Sequence, residues 1–483
     1  MLFNSYPFLF QFLPVVLLVG WGLALWKPTA VKVWLTVGSF YFYAWWHAAH
    51  LPLLIAVMLF TYAVGKGIMR ANRPLWRNVL LGIGLVGVLG VLGYFKYFNF
   101  FAGTVNSIVG ATFRLDPILL PLAISFFTFQ KVAFLVDVHQ GKIQKVSFLD
   151  YCLFVAFFPQ LIAGPIVHYR EIVPQFARRG TFRFRLSHVS VGISMFAMGL
   201  FKKVVVADAL APIANPLFEL AARGKVPTMA DAWVGALAYS LQLYFDFSGY
   251  SDMAIGLARM FGISLPLNFN SPYKAADIID FWRRWHITLS KFLRDYVYIP
   301  LGGNRCGRVR LFGNLFVTML VGGLWHGAGW TFIAWGFIHG VFLAINHAWQ
   351  KVPFHNLGVR YTAVLSWAVT FTGVVMAWVV FRAQSMPDAW RIVHSMVCAK
   401  KHALKLFDSG DVMLVAAVLV AGLVLPNTQQ IFGQFRPAMG YVRSRARFWA
   451  WRPQLGWALI VGVAFGICIC CLARPSQFLY FQF

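Results

Sequence analysis

Charge is scarce in this chain: 15 acidic and 42 basic residues are all that 483 positions hold, 12% of the whole, against 60% hydrophobic and 17% aromatic residues. That excludes an ordinary soluble domain, in which about a quarter of residues are charged. The six cysteines, Cys152, Cys306, Cys398, Cys468, Cys470 and Cys471, form no CxxC pair and show no metal-type spacing. No metal site is expected, and core packing is the expected role for most of them. HExxH, Walker and GxSxG motifs are missing too, which removes zinc-protease, phosphate-loop and nucleophile-elbow readings. The N-terminus lacks the basic region of a signal peptide. No Gly/Ser linker and no internal repeat divides the chain, so residues 1–483 are expected to form one membrane-embedded domain: scaffold helices over 1–110, a core over 111–350 and C-terminal helices over 351–483.

What the chain has is apolar runs of about twenty residues, the length that spans a hydrocarbon core. Mean hydropathy is +0.68. The expected class is an all-α polytopic membrane protein with about 10–12 transmembrane helices plus re-entrant and interfacial helices. A formal charge of +27 would suit a nucleic-acid binder on one basic face, but here the basic residues fall in short loops between apolar runs. Clusters at Lys66–Arg77, Arg170–Arg185, Arg305–Arg310 and Arg436–Arg452 therefore read as cytoplasmic loops, with no nucleic-acid partner. Lys and Arg are absent until Lys27, which places the N-terminus outside.

Helices near 8 to 26, 31 to 47, 51 to 68 and 79 to 100 read as scaffold. Elsewhere the apolar runs are interrupted. Pro121, Ser125, Thr128, Gln130, Lys131 and Asp137 mark 117 to 138 as a buried or re-entrant helix, because polar groups at membrane depth survive only where protein or a water-filled cavity satisfies them. Pro159, Gly164 and Pro165 predict a broken helix around Gln160. A third interrupted run, 241 to 265, carries Asp246 and Asp252, neither of which should face lipid. Ordinary spans resume from about 311.

Residues 277 to 296 project as one amphipathic helix, with Trp282, Trp285, His286, Leu289, Leu293 and Tyr296 on one face and Asp280, Arg284, Lys291, Arg294 and Asp295 on the other. Asp280 and Arg284 make a favourable i,i+4 pair. The helix is too charged to span, so it belongs at an interface or in a polar cleft. His286 suits either packing against a backbone carbonyl or a functional role. His326 sits in Gly322-Gly323-Leu324-Trp325-His326-Gly327-Ala328-Gly329, where small residues let backbones approach or line a channel. An ionisable side chain at that depth costs about 2.5–3.5 kcal/mol when charged, and an imidazole there has the proton affinity that general-base catalysis needs. His339, on the following helix, is expected to pack.

These stretches carry a resemblance. MLFNSYPFLFQFLP at the start, LPLAISFFTFQ, FPQLIAGPIVHY, YFDFSGYSDMAIGLARMFGI, NFNSPYKAADIIDFWRRWHITLSKFLRDYVYIPLGGNR, LWHGAGW, PNTQQIFG and the final FLYFQF together resemble the membrane-bound O-acyltransferase family, in its bacterial polysaccharide O-acetylation branch, over nearly the full length. The resemblance implies a fold built around a tunnel, a catalytic histidine matching His326 and a second functional residue matching His286. Trp325, Trp282, Arg283, Tyr298, Asp246 and Asn270 are the expected substrate or tunnel residues. It implies acetyl-CoA as a cytosolic donor substrate with no bound cofactor. It also implies a multi-pass place in the bacterial inner membrane. The acceptor would be an exported alginate- or cellulose-like glycan, served directly or through an extracytoplasmic SGNH-hydrolase-like partner and the polysaccharide export machinery. Arg305, Arg308 and Arg310 could attract the phosphates of coenzyme A, although positive-inside topology alone accounts for them. A D-alanyl transferase fed by an acidic carrier protein, and a transporter built from broken helices, are the competing readings.

Overall fold

The structure is a computed structural model that describes residues 1–110, 118–305, 307–350, 361–399, 403–440, 442, 448–473 and 479. The described residues are almost entirely helical, with two isolated β-bridges and no strand among them. By packing they form two compact units, 1–200 with 250–267 and 432–466, and 201–249 with 268–431 and 467–483.

The first unit opens with α1 (Leu13–Trp26), α2 (Pro28–Ala44), α3 (Leu51–Arg70) and α4 (Pro74–Leu92), followed by α5 (Phe98–Val109). Pro28, Pro52 and Pro74 stand in the first turn of their helices, where a missing N–H costs nothing. Inside these apolar helices the hydroxyls of Thr36, Ser39 and Thr61 bond back to carbonyls of the preceding turn, which satisfies them without water. α6 (Ile124–His139) is buried along most of its length, as its polar interruptions require. The broken helix is present as α7 (Phe148–Ala156) and α8 (Phe158–Leu161), parted at Phe157. Its irregular backbone is satisfied by protein: Gln130 and Gln160 both donate Nε2–H to the Phe154 carbonyl at 3.1 and 2.7 Å, and the Phe158 N–H donates to Ser39 Oγ at 3.0 Å. The unit continues through α9 (Tyr169–Phe176) and α10 (Leu186–Phe201).

The second unit holds α11 (Asp208–Ala222) and most of α12 (Met229–Met260). α12 runs unbroken from 241 to Met260, and Asp246 and Asp252 are both buried within it, as expected. Asp246 does not break it, since its charge is met by Lys203 at 2.7 Å rather than by loosened backbone. Next come α13 (Ile278–Arg284), α14 (Ile287–Leu293), α15 (Gly307–His326), α16 (Trp330–Trp349), α17 (Tyr361–Arg382), α18 (Met386–Val397) and α19 (Ser409–Val424).

Among the described residues six helical runs have the length and apolarity to cross a membrane: 7–26, 48–70, 74–109, 186–222, 330–349 and 363–382. Shorter apolar helices cover 409–424 and 455–471. The remaining helices of the expected set form, but they are shorter or carry buried polar groups that face protein. This is a membrane protein.

Candidate functional site

The site lies within the second unit, and its first determinant is a break in regular structure. The helix projected over 277 to 296 is two helices, α13 and α14, parted at Trp285 and His286. Their periodicity is preserved across the break, so Trp282, Trp285, His286, Leu289 and Leu293 are all buried while Arg283, Lys291 and Arg294 are exposed. Asp277 caps α13 through the Asp280 N–H, and the Asp280–Arg284 pair forms at 2.9 Å.

His286 has φ +41°, the left-handed region that a side chain with a Cβ enters at a cost of about 1–3 kcal/mol. Asn268 holds it there. The Ile287 N–H donates to the Asn268 carbonyl at 2.9 Å, and Asn268 Oδ1 accepts from the Thr288 hydroxyl at 2.9 Å. The same Oδ1 lies 3.1 Å from His286 Nδ1. An amide oxygen only accepts, so Nδ1 carries the proton and Nε2 keeps its lone pair in the neutral ring. His286 lies outside the apolar runs long enough to span, and complete burial lowers its imidazole to about 3, so it is neutral at cellular pH.

His326 ends α15. Its ring is 5% exposed as a residue and meets Trp325 at 4.8 Å, Trp335 at 5.2 Å, Phe381 at 5.2 Å and His286 at 6.4 Å, centroid to centroid. The glycines place it. A Cβ at Gly323 would strike the Phe332 carbonyl oxygen, and one at Gly336 would lie 2.5 Å from the Met319 carbonyl oxygen. α15 and α16 therefore meet backbone to backbone, which draws Trp335 against His326.

The structure sorts the other sequence candidates. Trp325 packs on both histidines, 5.5 Å from His286 and 4.8 Å from His326. Trp282 packs at 5.8 Å on Trp335 and 5.2 Å on His339. Asn270 is spent on anchoring: its Oδ1 accepts from Asn427 Nδ2 at 2.9 Å, which ties down the PNTQQIFG stretch. Asp246 sits in a buried ion cluster: its carboxylate pairs with Lys203, itself 2.7 Å from Asp208, and accepts the Leu479 N–H. Arg283 is exposed, and Tyr298 is half-buried with its ring over Gly303. Arg305 and Arg310 are exposed, and the side chain of Arg308 lies outside the described residues, as does Cys306. Among the described residues no three His, Cys, Asp or Glu side chains converge as a metal site requires. Sequence reasoning missed Asn268, Trp335, Phe381 and Phe247, the last 4.8 Å from His286. Only Asn268 carried a legible signal, a polar residue inside the NFNSP stretch.

Comparison with known proteins identifies the family. The profile of the membrane-bound O-acyltransferase family matches residues 118–381, which include His286, His326 and the aromatic rings packed on them. A peptidoglycan O-acetyltransferase of Helicobacter pylori is 43% identical over 424 residues, 82% of this chain and 80% of its own. A probable alginate O-acetylase of Azotobacter vinelandii is 41% identical over 470 residues, 94% of this chain and 90% of its own. A teichoic acid D-alanyltransferase of Streptococcus thermophilus is 28% identical over 293 residues, 56% of this chain and 69% of its own. With a family match across the site and relatives this similar along most of its length, the chain belongs to the membrane-bound O-acyltransferase family and is an acyltransferase.

Proposed function

We propose that the protein moves acetyl groups from cytosolic acetyl-CoA across the bacterial inner membrane toward an exported polysaccharide. The observation that carries the reading is a pair of buried imidazoles, His286 and His326, 6.4 Å apart in an aromatic shell. His326 accepts the proton of the acceptor hydroxyl as its oxygen attacks the thioester carbonyl carbon, and then returns that proton to the departing sulfur. His286, neutral and with Nε2 as an acceptor, orients the hydroxyl. The donor carries several phosphate charges and stays on the cytosolic side, while the polymer stays outside, so a buried site reached from both faces suits both. Arg305, Arg308 and Arg310 attract the donor phosphates at the inner mouth. The N-terminus faces outward.

The acceptor is an alginate- or cellulose-like glycan, reached directly or through an extracytoplasmic SGNH-hydrolase-like partner working with the export machinery. O-acetyl transfer is favoured over D-alanyl transfer because the relatives named for O-acetylation match more of this chain at higher identity. No resident cofactor enters the reaction as proposed. The test is thiol release from acetyl-CoA by purified protein in proteoliposomes supplied with an acceptor oligosaccharide. Turnover that disappears in His326→Ala supports the reading. Turnover with a D-alanyl carrier-protein thioester but none with acetyl-CoA would replace the donor.

A further inference from the structure

Three buried side chains, joined to His326 through one of them, Trp335, hold polar atoms without a partner among the described residues. His339, on α16, is fully buried, and neither of its ring nitrogens has a hydrogen-bond partner among the described residues. The indole nitrogens of Trp282 and Trp335 are in the same condition. The rings form one cluster, with His339 4.7 Å from Trp335 and 5.2 Å from Trp282, centroid to centroid. Trp335 also meets the ring of His326 at 5.2 Å. Packing was the expected role of His339, and the aromatic contacts agree, but packing alone does not call for its nitrogens.

A buried polar atom without a partner costs about 1–3 kcal/mol, and native structures hold few of them. Phenylalanine at these positions would avoid that cost. A ligand group that completes the hydrogen bonds would justify it. The kind of group follows from counting donors. An indole N–H only donates, and a neutral imidazole donates through one nitrogen. The cluster thus offers three donors against a single acceptor, the second nitrogen of His339, so the partner that would satisfy most of it is itself an acceptor, an oxygen. Beside His326, the oxygen that gains an electron pair during acyl transfer is the one on the thioester carbonyl.

We propose that Trp335, Trp282 and His339 form the oxyanion-binding subsite of the acyl transfer. This rests on the reading of His326 as proton acceptor. The acceptor oxygen bonds to the carbonyl carbon, its proton passes to His326, and the carbonyl π pair moves onto the oxygen held by these N–H groups. Collapse restores the C=O bond and breaks the C–S bond, and the sulfur leaves with the proton from His326. Donors fixed in a dry site need no reorganisation as charge develops, and each such donor is worth about 10²–10³ in kcat.

The test uses Trp335→Phe and His339→Phe in the full-length protein in proteoliposomes, with kcat and KM for acetyl-CoA measured separately. Two unreactive probes accompany them: the ketone analogue of acetyl-CoA with CH2 in place of sulfur, and S-ethyl-CoA, which has no carbonyl oxygen. Wild type should bind the ketone more tightly than the ethyl thioether. Each variant should lose about 100-fold in kcat with KM changed only a few-fold, and should lose that preference. A kcat within threefold of wild type, with the preference intact, overturns the subsite. If Trp335→Phe fails to fold, Trp282→Phe reads the same preference. Full turnover in His326→Ala would instead remove the underlying mechanism, whereas lost turnover with the ketone preference intact in that variant supports the subsite.

Discussion

Replacing Asp246 by alanine should damage stability first and chemistry only through it. Lys203 Nζ lies 2.7 Å from carboxylate oxygens of both Asp246 and Asp208, and the side chains of Lys203 and Asp246 are each 2% exposed. Asp246 Oδ2 also accepts the Leu479 N–H at 3.4 Å. Removing one partner of a buried pair costs about 3–5 kcal/mol because the other charge stays buried. Asp208, 12% exposed, still compensates Lys203, so the lower end of that range applies and Asp246→Ala should lose about 3 kcal/mol. Lys203→Ala leaves adjacent carboxylates without their cation and should lose about 5 kcal/mol. Apolar replacement of both, Lys203→Met with Asp246→Leu, should recover most of the loss, since apolar isosteres of buried pairs are often neutral. The assay is thermal unfolding of detergent-purified protein, where about 3 kcal/mol corresponds to a fall of about 6–12 °C on the scale of 150–250-residue domains. An unfolding midpoint equal to wild type in Asp246→Ala, with turnover lost, would refute the structural assignment and return Asp246 to the reaction.

Asn268→Ala frees the backbone at His286 and the tautomer of its ring, so turnover should fall at least tenfold with donor KM little changed; Asn268→Asp, whose carboxylate still accepts, should retain more, and equal losses in both would sink the tautomer argument. Gly323→Ala or Gly336→Ala forces α15 from α16 and should cost about 1–3 kcal/mol with a larger loss of turnover, read by unfolding and thiol release together. His286 binds its proton at about 3 folded and at about 6.5 unfolded. Its contribution to stability is therefore complete above pH 6.5 and is lost as pH falls toward 3, by up to ~1.4 kcal/mol per unit. His286→Gln should show a shallower loss of unfolding midpoint between pH 7 and 5, and parallel curves would contradict the burial argument. Arg305→Glu with Arg310→Glu should raise the acetyl-CoA KM severalfold at low salt, and an unchanged KM would leave those residues to topology alone.

Much of the helical order is legible in the sequence, because long apolar runs and proline positions are local signals. The break at Phe157 follows from Pro159 and Gly164, and the protected face of 278–293 follows from its period of 3.6. The break at His286 does not, since the same period runs through it. It is imposed by Asn268, eighteen residues away in sequence, whose backbone and side chain both reach the turn. The role of Asp246 is not legible for a related reason: a charged residue in an apolar run suits either a lined cavity or a buried pair until its counter-ion on another element is known. The histidine pair was named from the sequence, but its aromatic shell from α16 and α17 depends on glycine contacts between helices that no local pattern reveals.

The central claim is that His326 performs acyl transfer, and the most direct measurement is the acetyl content of the exported polysaccharide in cells carrying His326→Ala, with the variant's membrane level checked beside wild type. Acetylation lost at normal protein level is the outcome the account predicts. Acetylation undiminished at normal protein level would contradict it and reduce His326 to a packed side chain.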